Sequence, residues 1–267
     1  MAQTMMRRGF AAEAVFVHGK TITFKIGCNG NDVFLVPEDR IRTSSEFVEA
    51  AMKGPWKESQ DRSISLPGIG KQAFSMYFHW LLTGVVHSKG RPSDYPEFHH
   101  IMPLLQEILL LPRLFELGHY LLDTDFRDAL SDALMQCTSD LQRDLCSFPL
   151  DYGSFFYERI PDGSPTRNLV ADLVVWTMNE HFLLYTGAKR DAIHPDYTMD
   201  LVMAMAARHI SKTPGKSPLD GWETNCKYHC HGSEKPCYRS KAEMFSNLTN
   251  KRSAAEDVEL PNAKRRA

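Results

Sequence analysis

Three cysteines and two histidines fall within twelve residues in the stretch CKYHCHGSEKPC, residues 226–237. Thiolates and neutral imidazoles are the donors that tetrahedral zinc prefers, and the spacing Cys226-x2-His229-x-His231-x5-Cys237 supplies two of each. Cys230 is then the odd thiol, or it replaces one of the histidines. Gly232 and Pro236 provide the bends a loop needs to close around one ion. A set of four protein ligands leaves no position open for substrate, so even with zinc bound the cluster reads as a clip that holds chain together. The competing reading is a reduced, metal-free turn held by packing of Trp222 and Tyr228. The cluster follows the Pro- and Gly-rich stretch SKTPGKSPLDG. It is therefore expected at the end of the folded region, where chelation would disorder residues 220–240 and spare the rest.

Other chemistry is hard to find. PGIGKQ hints at a phosphate loop, but Ser65 stands where the first Gly is required and Gln72 where Ser or Thr is required. Neither His-Glu-x-x-His nor Gly-x-Ser-x-Gly occurs, and YGSFF and DGSPT both fail the serine-elbow pattern. His99-His100 sits in a polar loop and reads as solvated. Asp123 and Asp125 are explained by helix capping. These readings point away from an enzyme. A metal-dependent enzyme would need an open coordination site at the Cys/His cluster, which zinc stoichiometry with a test for bound water would detect.

Lys251-Arg252, an 11-residue spacer and Lys264-Arg265-Arg266 match the spacing of a two-part nuclear import signal. Five basic and three acidic residues over 251–267 fit a merely solubilising tail equally well.

With 267 residues, 43% of them apolar and 24% charged, the chain can build one sizeable domain and a smaller one. A net charge of -2 gives no general attraction to nucleic acid or to anionic membranes. The most apolar stretch, IMPLLQEILLLPRLF, is interrupted by Gln106, Glu107 and two prolines, so no membrane span is expected. Six cysteines are too few for a disulfide framework, and Cys28, Cys137 and Cys146 lie among apolar neighbours as reduced core thiols do. The expected setting is intracellular, in the nucleus, the cytoplasm or both. Neither a basic recognition helix nor a finger array is visible, so direct nucleic-acid contact is not expected.

The elements that must carry these residues follow from periodicity. TITFKIG alternates, with Ile22, Phe24 and Ile26 on one face. Asn29-Gly30 signals a hairpin returning through DVFLV. Pro37 opens a helical turn, and Thr43 with Glu46 has the form of a capping box. RSISL reads as a third strand. In KQAFSMYFHWLLTG a helix presents Phe74, Tyr77, Phe78 and Leu81 inward and stops at Gly84. Pro112 suits the first turn of a helix with Leu114, Phe115, Gly118, Leu121 and Leu122 on its apolar face. Asp123 or Asp125 caps the next, whose inner side is Phe126, Ala129, Leu130, Ala133 and Leu134. Ser164-Pro165 starts a helix that buries Leu169, Val170, Leu173 and Val174. A later one buries Leu201, Val202, Met205 and Ala206. Strands first and helices after make an α+β class.

In this order the sequence resembles the BTB/POZ domain, in particular the BTB proteins abundant in filamentous fungi. The resemblance rests on Ser45-Glu46-Phe47, on Leu66-Pro67, on Phe74, Tyr77 and WLLTG at 80–84, and on LFELGHYLLDTDFRDALSDAL. It covers roughly residues 20–136, and the fungal type adds SPTRNLVADLVVW and the closing Cys/His segment. Two departures are Pro37 where the family has His, and Leu82 where it has Tyr. The resemblance implies a small sheet with helical hairpins over 13–136, a helical extension over 150–212 and the Cys/His segment over 220–240. Residues 1–12 read as a flexible leader, and 247–267 as a disordered basic tail. It further implies a non-enzymatic adaptor that homodimerises and docks a cullin of a ubiquitin ligase. The alternative within the family is a nuclear protein that recruits transcriptional regulators.

Overall fold

Alternation along β1 (Thr21–Ile26) puts Ile22, Phe24 and Ile26 on one side, and all three are buried. The computed structural model describes residues 19–91, 101–179, 193–210 and 217–241. β1 pairs antiparallel with β2 (Asp32–Pro37), with Phe24 opposite Phe34, and parallel with β3 (Ser63–Leu66), with Phe24 opposite Ile64. The sheet order is β2-β1-β3. The hairpin closes over residues 27–31, with left-handed backbone at Gly27 and Gly30, so it is wider than the tight turn Asn29-Gly30 suggested. Cys28 lies in this turn and is exposed, unlike buried Cys137. A parallel return from β1 to β3 needs a crossover, and α1 (Glu38–Ser44), α2 (Glu46–Lys53) and α3 (Lys57–Asp61) supply it together with β2.

The cap of α2 is Ser45, whose hydroxyl accepts from the Val48 amide at 3.1 Å. Thr43, expected in that role, instead donates back to the Asp39 carbonyl inside α1. A short break between two helices can be capped from either neighbouring hydroxyl, and the one with extended backbone wins. α4 (Lys71–Thr83) ends where expected, with Gly84 in the left-handed region at φ 68°. Its buried face is Phe74, Tyr77 and Leu81 together with Ala73 and Trp80; Phe78 is only half-buried.

Pro112 does not begin a helix. α5 runs from Ile101 to Tyr120 with Pro112 inside it and buried. The ring costs one backbone hydrogen bond, to the carbonyl of Ile108, and the apolar neighbours Leu111, Leu114 and Phe115 hold the helix together across that gap. Leu121 is buried, but Leu122 takes left-handed backbone at the turn and faces outward. Asp123 then caps α6 (Thr124–Arg143) by accepting from the Phe126 amide at 2.9 Å. Residue 136 lies well within α6, which still contributes Leu141 to the core.

α7 (Leu150–Tyr157), α8 (Pro165–Thr177) and α9 (Pro195–Ile210) complete the described elements. Ser164 caps α8, and Leu169, Val170, Leu173 and Val174 are buried as the pattern predicts. α9 departs from expectation. Tyr197 and Leu201 anchor it against α7 and α8, but among the described residues nothing covers Val202, 54% exposed, or Met205, 38% exposed. Gly153 allows this approach, since a Cβ there would sit 2.2 Å from the Tyr197 ring.

Candidate metal centre

Residues 217–241 form a chain of turns laid across the helices. Left-handed backbone at Gly221 and Gly232 reverses the chain, and the His229 amide donates to the Cys226 carbonyl at 3.1 Å. The consequence is convergence: donor atoms of Cys226, His229, His231 and Cys237 all lie within 4.8 Å of one another. Ligands on tetrahedral zinc stand roughly 3.3–3.8 Å apart for ordinary Zn–N and Zn–S lengths. The 3.6 Å between Cys237 Sγ and His229 Nδ1 already has that value. The four residues expected from spacing are therefore brought together and could hold a metal ion.

The donor set passes a stricter test. His231 gives Nδ1 to the Gly232 carbonyl at 2.5 Å, while its Nε2 is buried with no protein partner. A buried acceptor left unpaired costs about 1–3 kcal/mol, which a metal ion at that nitrogen would remove. Burial and the neighbouring Cys226 thiol push the Cys237 thiol up, against an opposing backbone hydrogen bond at Arg239. Two thiols this close can ionise together only beside a cation.

Cys230 is the odd thiol. Its amide and its Sγ both reach Asp128 Oδ1, at 2.6 and 3.0 Å. Burial and the Asp128 charge push its thiol up to about 12, so it stays protonated and donates to that carboxylate.

The cluster does not sit at a free end. His229 is buried, with Nε2 3.0 Å from Asp132 Oδ1 on α6. Arg239 Nε donates to Asp132 Oδ2 at 2.7 Å, the Tyr238 hydroxyl donates to the same oxygen, and the Tyr238 ring meets Trp80 of α4 edge-on at 5.8 Å. Burial works against ionisation of Asp132, but hydrogen bonds from His229, Arg239 and Tyr238 outweigh it and hold the carboxyl below its ordinary value. Lys241 pairs with Asp125, Lys235 with Glu46 of α2, and Lys227 with Asp172 of α8. The Lys and Arg side chains of the segment thus meet carboxylates of the helices, and it touches both the sheet-bearing part and the helical extension.

Asp125, Asp128 and Asp132 were the residues that spacing within the cluster could not reveal. They recur at i, i+3 and i+7 along one face of α6, where Asp128 and Asp132 are buried and Asp125 is half-buried. That recurrence was the available signal; buried as they are, Asp128 and Asp132 require partners, which Cys230 and His229 supply. Asp123 is the cap, whereas Asp125 is used for the Lys241 pair. Lys251, Arg252, Lys264, Arg265 and Arg266 lie outside the described residues, as do His99 and His100. Gly68 and Gly70 line a cleft of about 480 Å³ with Gln72, Arg113, Glu116 and Arg159, in which Arg159 is already paired with Glu158 at 3.0 Å. Among the described residues no helix is long and apolar enough to cross a membrane.

No protein-family model matches the chain, and no curated protein matches it.

Proposed function

We propose that the chain is a protein–protein interaction adaptor of BTB type, without enzymatic activity, whose helical extension is pinned to the BTB part by one structural zinc on Cys226, His229, His231 and Cys237. One observation carries the adaptor reading: a buried polar joint made from the residues on which the BTB resemblance rests. Asp123 accepts from the Tyr77 hydroxyl at 3.0 Å, from the Phe126 amide and from Ser44. Ser45 donates to the Leu121 carbonyl at 2.5 Å, and Phe47 packs on Tyr120. The Ser-x-Phe step, the aromatic helix and the Leu-x-Asp turn of that pattern thus meet at one place, which supports a BTB-type frame. The metal site supports the non-enzymatic half of the reading, because four protein donors fill a tetrahedron and leave no place for substrate.

On this reading the chain homodimerises and presents a cullin-docking surface while other parts hold a substrate. The two basic clusters at Lys251-Arg252 and Lys264-Arg265-Arg266 favour a second reading, a nuclear protein that gathers transcriptional regulators. Affinity capture of the tagged chain from its own organism, read by mass spectrometry, separates the two. A cullin supports the first and corepressors the second. Recovery of neither, with a strictly monomeric chain in light scattering, overturns the adaptor. Hydrolytic activity abolished by chelation would do the same.

A further inference from the structure

Resting on the zinc reading above, we infer that the metal is held by an unlike pair of histidine nitrogens, Nδ1 of His229 and Nε2 of His231, and that Asp132 on α6 is the positioning residue that fixes the first. For His231 the backbone decides. Nδ1–H donates to the carbonyl of the next residue, Gly232, whose left-handed φ of 67° turns the chain there. The proton on Nδ1 leaves the lone pair on Nε2, the buried nitrogen with no protein partner.

For His229 the decision comes from a different element. Its Nε2 faces Asp132 Oδ1 at 3.0 Å, and a carboxylate only accepts. The ring proton therefore sits on Nε2, and the lone pair on Nδ1 points toward Cys237 Sγ at 3.6 Å. Arg239 Nη2 also approaches Nε2, but at 3.4 Å, and it already donates to Asp132 and to the Trp222 carbonyl at 2.9 Å. The opposite tautomer would give Nδ1–H only the weak Cys237 Sγ acceptor, with Asp128 Oδ2 too far at 4.0 Å, and would set the bare Nε2 lone pair against the Asp132 carboxylate at 3.0 Å. Asp132 is itself immobilised by Arg239 and Tyr238, so the orientation it imposes is rigid. A loop of twelve residues cannot fix both rings by itself; α6 sets one of them.

Partners that orient a ligating histidine typically change metal affinity by about 10- to 100-fold when removed. The test uses the full chain labelled with 15N-histidine and loaded with one equivalent of zinc. Two-bond 1H–15N spectra should show one histidine metallated at Nδ1 with a proton on Nε2, and the other the reverse. Asp132→Asn, whose amide can turn its NH2 toward Nε2 and favour the wrong tautomer, should bind zinc about 10- to 100-fold more weakly in competition with a chelator. Both histidines metallated at Nε2, or an unchanged affinity in Asp132→Asn, overturns the inference and leaves the zinc site standing. Failure of the unaltered chain to bind one zinc removes both. Should Asp132→Asn not fold, the spectrum of the unaltered chain still decides.

Discussion

The Tyr228 hydroxyl donates to the Asp172 carboxylate at 2.6 Å, so the segment that carries the candidate metal donors is fastened to α8 as well as to α6. Two lobes far apart in sequence thus share one short segment. The consequence is that stability of both depends on how well that segment is held.

Chelation should therefore reach further than residues 220–240. Occupancy of the site at a free zinc concentration a thousandfold above Kd stabilises the fold by about 4 kcal/mol, or roughly 10 °C in melting temperature for a chain of this size. Hydrogen exchange should quicken at His229 and Cys230, and also in α6 near Asp128 and Asp132, whose carboxylates lose their partners. A melting curve unaltered by chelator, on protein shown by elemental analysis to have carried zinc, would contradict this.

Phe74 and Phe78 should differ sharply on truncation. Phe74 is fully buried, with ring centroids 5.0 Å from Phe24 and 4.9 Å from Phe34. Phe78 is half-buried and meets Phe34 edge-on at 6.2 Å. Phe74→Ala should cost about 3–5 kcal/mol, and Phe78→Ala about half of that or less. Equal losses in urea unfolding would mean that α4 is turned from its present orientation.

Periodicity made most of this face legible, because Phe74, Tyr77 and Leu81 follow from a 3.6-residue repeat alone. It could not rank Phe78 against Trp80, since that depends on which neighbours α4 meets: Trp80 is covered by Phe126 and by Tyr238 from the far segment. The four candidate metal donors were legible for the same local reason, being within twelve residues of one another. Asp132 and Arg239 were not, because their contact joins positions 107 apart. Pro112 misled because helix-start statistics say nothing of a proline that is itself buried beside Leu111 and Leu114. On α9, the repeat of Leu201, Val202 and Met205 shows an apolar stripe, but not how much of it a neighbour covers.

Asp123 should give the chain a measurable pH dependence. Burial raises its carboxyl from 3.8 to about 6, although Ser44, the Phe126 amide and Tyr77 all bond to it. A carboxyl raised on folding binds its proton more tightly in the native state. Its contribution to stability is complete below pH near 4 and is lost as pH rises through about 6. Two pK units correspond to about 3 kcal/mol at most. Asp123→Asn keeps a capping oxygen and cannot titrate. Urea midpoints at pH 5 and pH 7.5 should diverge more in the parent than in the variant. Identical differences in the two proteins would place the carboxyl in a wetter site than this one.

Ser45 and Thr43 offer a cleaner contrast, because either could have capped α2 and only one does. The Ser45 hydroxyl accepts from Val48 at 3.1 Å and donates to the Leu121 carbonyl at 2.5 Å, so it caps one helix and ties that helix to the turn before α6. It is buried, and its removal would leave the Val48 amide without its cap and the Leu121 carbonyl with only the longer bond from the Phe47 amide, at 3.4 Å. Thr43 is solvent-facing, and its one hydrogen bond runs back to Asp39 within its own helix. Ser45→Ala should therefore cost about 1–2 kcal/mol, a lost cap together with one of the two bonds to the Leu121 carbonyl. Thr43→Ala should stay within about 0.5 kcal/mol of the parent. The two variants differ from their parents by a similarly small change, so composition cannot account for a gap between them. If Thr43→Ala proves the more damaging, α2 begins at the capping box that spacing first suggested, and the joint between Ser45 and Leu121 is not what holds α2 against α5.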